Sequence, residues 1–287
     1  MACTLRIAIG VGIAAATGSL LLGPPPTAPQ TAAAALSIAG LDHIPIAVND
    51  LEQAADDYRA LGFALKPGRA HDNGIRNQHV KFPDGTELEL ITAPAARDPL
   101  TTTYRRYLAQ GDGPAFLAFF APSRAAVLER LDSAGIKRRE GELLGALDYV
   151  FFGPRNASPT DLPEHFAHSN TAESLVSVWL AGADLSAERA LLIAMGARIT
   201  NRQVRVPSVS MADVAQLPEG DVILLPGNHQ MLAGRRIVGA TVRVRDLEVA
   251  SSAVQRGTRR DGLVSSGTSL FLPPPVTHGL WLELRHK

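Results

Sequence analysis

Short runs of alternating apolar and polar residues recur along this chain, and a stretch with helical spacing follows most of them. The first is "LDHIPIAVNDLEQAADDYRALGF". Ile44, Ile46 and Val48 form one face of a predicted strand, leaving Leu41, His43, Pro45 and Ala47 on the other. An Asn-Asp cap leads into a helix with Leu51, Ala54, Tyr58 and Leu61 on one side, closed by Gly62. "LAFFAPSRAAVLERLDSAGI", "SVWLAGADLSAERALLIAMGA" and "ATVRVRDLEVASSAVQRGT" repeat this layout. Their closing glycines, Gly62, Gly135, Gly196 and Gly257, fall roughly sixty to seventy-five residues apart. In the first copy "IRNQHVKF", the turn "PDG" and "TELELIT" then predict a hairpin, and "TSLFLPPPVTHGLWLELRHK" predicts another in the last. "LDYVFFGP" and "GDVILLP" supply strands in the middle copies. The pattern predicts an α+β protein of four tandem βαβββ modules, with helices covering one face of each sheet. Residues 36–165 would hold modules one and two, and residues 166–287 modules three and four.

Sorting the first module by face brings chemistry into view. Val80 and Phe82 point with the core while Asn77, His79 and Lys81 point away; Leu88 and Leu90 point inward, and Glu87, Glu89 and Ile91 outward. His43, His79, Glu87 and Glu89 therefore project from one surface. Such a surface can simply be wet. Imidazole and carboxylate together also suit a divalent ion, Zn, Ni, Co, Fe(II) or Mn, with a position open to a substrate oxygen.

Composition narrows the alternatives. With 287 residues, 46% hydrophobic and a formal net charge of zero, the chain has a substantial core and no concentrated positive field, which argues against nucleic acid as a partner. The first 35 residues differ in kind: "MACTLR", then the uncharged "IAIGVGIAAATGSLLLG", then "PPPTAPQTAAAALS". That order predicts a secretory signal peptide cleaved near Ala35, with an uncleaved membrane anchor as the alternative. Gly10, Gly12 and Ala15 match a dinucleotide fingerprint by letters only, since no strand precedes them. Cys3, the single cysteine, lies in this leader, so the remainder offers neither an internal disulfide nor a thiol nucleophile.

At "LDHIPIAVNDLEQAADDYRALGF", "HDNGIRNQHVKF" and "DGTELELI" the chain resembles the vicinal oxygen chelate superfamily, and within it glyoxalase-like domain proteins. His71, Gly74 and Asn77 look like the family's His-x-x-Gly-x-x-Asn segment, and "HSNTAESLVSVWLAGADL", from His168, looks like the lead-in to a third module. The resemblance implies that paired modules curve into cups, giving two curved mixed sheets with helices on their outer faces. It also implies His43 and Glu89 as metal ligands, completed by His79, His168 or Glu283, with Glu87 or Glu89 shuttling a proton. Asn77, His71 and His168 would contact substrate. Phe116, Ser177 and Gly239 stand where the other copies would carry a counterpart of His43.

The function expected from this is a metal-dependent isomerase or lyase acting on a small oxygen-rich molecule. The alternative is a cup without catalytic metal that sequesters a hydrophobic or aromatic compound. Extradiol ring cleavage has less support, because a two-histidine, one-carboxylate iron site is not visible at the strand positions. Oligomeric state is left open.

Overall fold

The run around His43 becomes strand β1 (Gly40–Ala47), and helix α1 (Leu51–Ala60) begins where the Asp50 side chain accepts the backbone N–H groups of Glu52 and Gln53. This computed structural model describes residues 38–139, 142–257 and 263–286; the expected leader, residues 1–35, lies outside them. No described helix is long and apolar enough to cross a membrane.

Strands β2 (Lys66–Pro67), β3 (Arg76–Lys81) and β4 (Glu87–Thr92) follow. Next come α2 (Pro99–Leu108), β5 (Gly113–Pro114), β6 (Leu117–Phe120) and α3 (Arg124–Ser133). Then come β7 (Arg138–Arg139), β8 (Glu142–Leu143) and β9 (Val150–Gly153). The first sheet runs β2-β3-β4-β1-β6-β9, with β5 on β1. β1 lies parallel to β4 and antiparallel to β6, and β6 parallel to β9.

The second half repeats the connectivity. Its elements are β10 (Ala172–Ala181), α4 (Ser186–Ala194), β11 (Arg198–Val206), β12 (Ser208–Gln216) and β13 (Asp221–Leu225). After them come β14 (Ile237–Val244), α5 (Leu247–Gly257), β15 (Val264–Ser266), β16 (Ser269–Leu272) and β17 (Trp281–Arg285). The second sheet runs β11-β12-β13-β10-β14-β17-β16-β15. This mixed α+β architecture is the expected class. In the second repeat, however, β7 and β8 pair only with each other, so that copy contributes just β6 and β9 to its sheet.

Helices α1, α3, α4 and α5 cover one face of each sheet, and those faces turn toward each other. α1 packs on α5 and α3 on α4, and one apolar core draws on both sheets, from Ile44, Tyr58 and Leu88 to Val178, Val254 and Leu282. Each large side chain buried there contributes about 1.5–3 kcal/mol. Polar ties cross the same junction: the Tyr58 hydroxyl donates to the Thr277 carbonyl at 3.1 Å, and the Thr86 hydroxyl accepts the Leu175 N–H at 2.9 Å. The opposite faces form the cups, and α2 lies over the first of them, where Tyr104 and Tyr107 pack with Ala47, Ile75 and Ile91.

Two local features depart from simple alternation. β1 carries an extra residue against β6: Leu41 pairs with Phe119 but His43 with Ala118. This bulge at Asp42 lets Leu41 join the core while His43 keeps the opposite face. Helix α2 was not foreseen from the sequence. Its start is written in "DPLT", where the Asp98 side chain accepts the Thr101 N–H, Pro99 opens the helix and the Thr101 hydroxyl caps Asp98 in return.

Candidate functional site

β1, β3 and β4 are neighbours, and their outward side chains meet. His43 lies opposite Glu87 along β1 and β4, and His79 opposite Glu89 along β3 and β4. His43, His71, Asn77, His79, Glu87 and Glu89 all line one cleft of about 820 Å³. An apolar chamber of about 590 Å³ adjoins it, lined by Ile91, Tyr104, Tyr107, Phe116 and Phe151. His43, His71 and Glu89 line both cavities, so they stand at the boundary between polar and apolar space.

The bulge builds the centre of the site. Nδ1 of His43 donates to the Asp42 carboxylate at 2.7 Å, which aims Nε2 toward Glu89 Oε2, 3.8 Å away. Glu89 is steadied in turn by Asn77, whose Nδ2 donates to Oε1 at 2.6 Å. Phe151 meets the His43 ring edge-on at 5.3 Å. Burial works against a proton on His43, but the hydrogen bond to Asp42 and the charges of Glu89 and Glu87 outweigh it, and its pKa is raised.

Glu87 behaves differently from expectation. Burial alone would raise its pKa, yet the hydrogen bond and charge from His79, the charge of His43 and a hydrogen bond from Asn156 lower it. A carboxylate held ionised in this way is a poor proton shuttle, and Glu87 acts as a fixed counter-charge. His79 supplies Nδ1 to Glu87 at 3.2 Å, so it orients Glu87 rather than facing the His43–Glu89 pair.

The side of the cleft away from the chamber is a charge network that sequence reading missed. Lys81 is buried, donating to Asp161 at 2.8 Å and to the Asn156 carbonyl, and Lys66 also reaches Asp161. Burial favours a neutral Asp161, but the two lysines overcome it and hold the pKa well below the usual carboxylate range. The only sequence signal was Lys81 on the outward face beside His79.

The remaining expectations divide. His71 is well placed: its Nε2 is buried and has no hydrogen-bond partner, which leaves it for a ligand. His168 is not placed to touch substrate. Its Nδ1 accepts the Ala64 N–H and its Nε2 donates to the Lys81 carbonyl, both at 2.9 Å, so both ring nitrogens brace backbone. Glu283 belongs to the second sheet, where it accepts the Thr241 hydroxyl at 2.6 Å, and does not join His43 and Glu89.

These positions test the expected divalent ion. His43 and Glu89 present two facing donors. Among the described residues no group of three or more His, Cys, Asp or Glu side chains is gathered to hold an ion, whereas catalytic zinc sites normally use three protein ligands. This donor set does not fit a tightly held catalytic ion. The repeat explains the shortfall: Phe151 opposes Ala118 as Glu89 opposes Pro45, and it meets Phe116 at 6.4 Å. Aromatic rings thus occupy the half of the cup where further donors would stand.

Solved structures share this fold. A mutant of 4-hydroxymandelate synthase from Streptomyces coelicolor superposes with a TM-score of 0.62 at 15% identity, over 87% of this chain and 92% of that one. A catechol 2,3-dioxygenase gives 0.56 at 12% identity, over 88% and 93%. A variant of homoprotocatechuate 2,3-dioxygenase from B. fuscum gives 0.58 at 12%, over 88% and 72%. No curated protein sequence matches the chain significantly. A glyoxalase-like domain signature matches residues 41–210, more than half of the chain, from the strand that carries His43 into the second sheet. With that span and this repeated sheet topology, the chain belongs to the glyoxalase-like domain family of the vicinal oxygen chelate superfamily.

Proposed function

We propose that the first cup binds a small oxygen-bearing molecule with an apolar portion and moves a proton on it, as an isomerase or lyase does. The observation that carries this reading is the facing pair: His43 Nε2 and Glu89 Oε2 lie 3.8 Å apart at the boundary of a polar cleft and an aromatic chamber. A substrate carbonyl beside His43 would face an imidazole whose proton Asp42 and the glutamates help to retain against burial. Glu89 would take the proton from the adjacent carbon. The C–H electron pair then forms a C=C bond, the carbonyl π pair moves to oxygen, and His43 protonates that oxygen to give an enediol. Return of a proton to the former carbonyl carbon, with loss of the proton from the hydroxyl on the adjacent carbon as its C=O forms, completes an isomerisation; departure of a leaving group with its electron pair from the next carbon completes an elimination. Tyr104, Phe116 and Phe151 would exclude water around the apolar portion. This reading puts the activity outside the cytoplasm or at a membrane surface, and the leader-like composition of residues 1–35 supports it.

The test is proton–deuterium exchange at the carbon next to the carbonyl, followed by NMR in D2O across small aromatic and aliphatic α-hydroxycarbonyl compounds. Exchange by the native chain that is lost in both His43→Gln and Glu89→Gln supports the proposal. Metal analysis of protein purified without chelator runs alongside it. Near-stoichiometric divalent metal, lost in both variants, would restore the metal-dependent form of the reaction.

A sequestration protein is the second reading, and the chamber favours it: four aromatic rings and about 590 Å³ are suited to holding an aromatic body. Binding without exchange, undiminished in Glu89→Gln, would establish that reading instead.

A further inference from the structure

The second sheet has its own cup, and its lining divides in an ordered way. On four strands, residues two apart on the same face line different cavities. Ser177, Val204, Ile223 and Glu283 line a polar cavity of about 400 Å³. Trp179, Val206, Leu225 and Trp281 line an apolar one of about 480 Å³. Same-face neighbours on a strand sit about 7 Å apart, so the two cavities are adjoining ends of one concave surface.

The polar end carries Arg202, Arg205 and Arg285 against Asp221 and Glu283. Glu283 is already engaged, accepting the Thr241 hydroxyl at 2.6 Å, while Thr241 Oγ1 accepts Trp179 Nε1 at 3.1 Å. The guanidinium groups of Arg202 and Arg205 make no hydrogen bond or close ion pair among the described residues. Ser177 Oγ is buried and unpartnered, on a residue only 1% exposed. A merely solvated cluster would not leave a hydroxyl sealed from water and unpaired. Three cations against two carboxylates leave a surplus positive charge at this end.

We infer that this second cup is a separate binding site for an organic carboxylate with an aromatic or similarly flat apolar body, its carboxylate held by Arg202 and Arg285 at the Ser177 end and its body laid against Trp281, beside the buried Trp179. Guanidinium groups match a carboxylate with paired hydrogen bonds, and indole faces accept flat apolar groups. Nothing in this inference depends on the chemistry of the first cup.

The chain contains two tryptophans, and both line this cavity, so intrinsic tryptophan fluorescence reports on the second cup alone. The full chain is titrated with 3-phenylpropionate and with its neutral counterpart 3-phenylpropanol. The acid should change tryptophan emission saturably and bind about tenfold or more tighter than the alcohol, with affinity falling as salt rises. Arg202→Gln lies on an exposed side chain and keeps the fold; alone or with Arg285→Gln it should weaken the acid about tenfold or more and leave the alcohol unchanged. His43→Gln and Glu89→Gln should leave the titration unaltered. Equal responses to acid and alcohol, a response to neither, or a response removed by the first-cup variants but not by the arginine variants would each overturn the inference.

Discussion

The Asp42 carboxylate accepts a hydrogen bond at 2.7 Å from the ring of the very next residue, His43. Consecutive side chains of a regular strand point to opposite faces; here the extra residue in β1 brings both to the cup. Asp42→Asn removes the charge behind the ring and keeps the shape. The His43 pKa should fall, since burial then dominates, and exchange activity should fall with it. Imidazole NMR titration of the two proteins decides this, and an unchanged His43 titration would remove Asp42 from the site.

Lys81 is 2% exposed and lies between Asp161 and Glu87, at 2.8 and 3.9 Å. Lys81→Met keeps the chain length and leaves two carboxylates facing an apolar thioether. Breaking a buried ion pair on one side costs about 3–5 kcal/mol, so urea denaturation should show a loss of that order. A loss under about 1 kcal/mol would mean that the network is solvated.

Stability should depend on pH through His278. Burial lowers its pKa, but hydrogen bonds to Asp112 and Asp57, at 2.8 and 3.0 Å, raise it above the ordinary value. A raised folded pKa stabilises the native state fully below the unfolded value, about 6.5, and that contribution disappears as pH rises through the folded pKa. His278 has φ 55°, which Asn tolerates, so His278→Asn is the matched control. The Tm difference between native chain and variant should be greatest in mildly acidic buffer and shrink with alkalinity; a constant difference would show that His278 acts through packing alone.

Gly135 and Gly257 close equivalent helices for different reasons. Gly135 has φ 65° with open space around it, a left-handed helix end. Gly257 has no such φ, but a Cβ there would lie 1.8 Å from the Ala60 carbonyl oxygen, because α5 and α1 meet closely. Gly135→Ala should cost about 1–2 kcal/mol from backbone strain. Gly257→Ala should cost about 1–3 kcal/mol through overpacking. Thr277 accepts a hydrogen bond from Tyr58 across the same junction, so only the Gly257 variant should also perturb Tyr58 fluorescence.

Much of the first cup was legible because it is local. Within a strand the face of a side chain follows from position alone, and "TELELIT" and "NQHVKF" became β4 and β3 with Glu89 and His79 outward. Asp42 was not legible, since a one-residue bulge inverts the rule that assigned it to the other face. Lys66, Asp161 and Asn156 were also missed. They lie as far as 95 residues from their partners, a separation over which spacing carries no information.

The amino-acid sequence by itself determined the repeat, the helix caps and the face of most strand residues, because these depend on interactions a few residues long. Only the tertiary structure decided which strands became neighbours. That choice brought His43 to Glu89, sent Glu283 to a different sheet and set Phe116 against Phe151. Strand order is settled by which helix faces can be buried together, as α1 on α5 and α3 on α4, and that is a property of the whole chain.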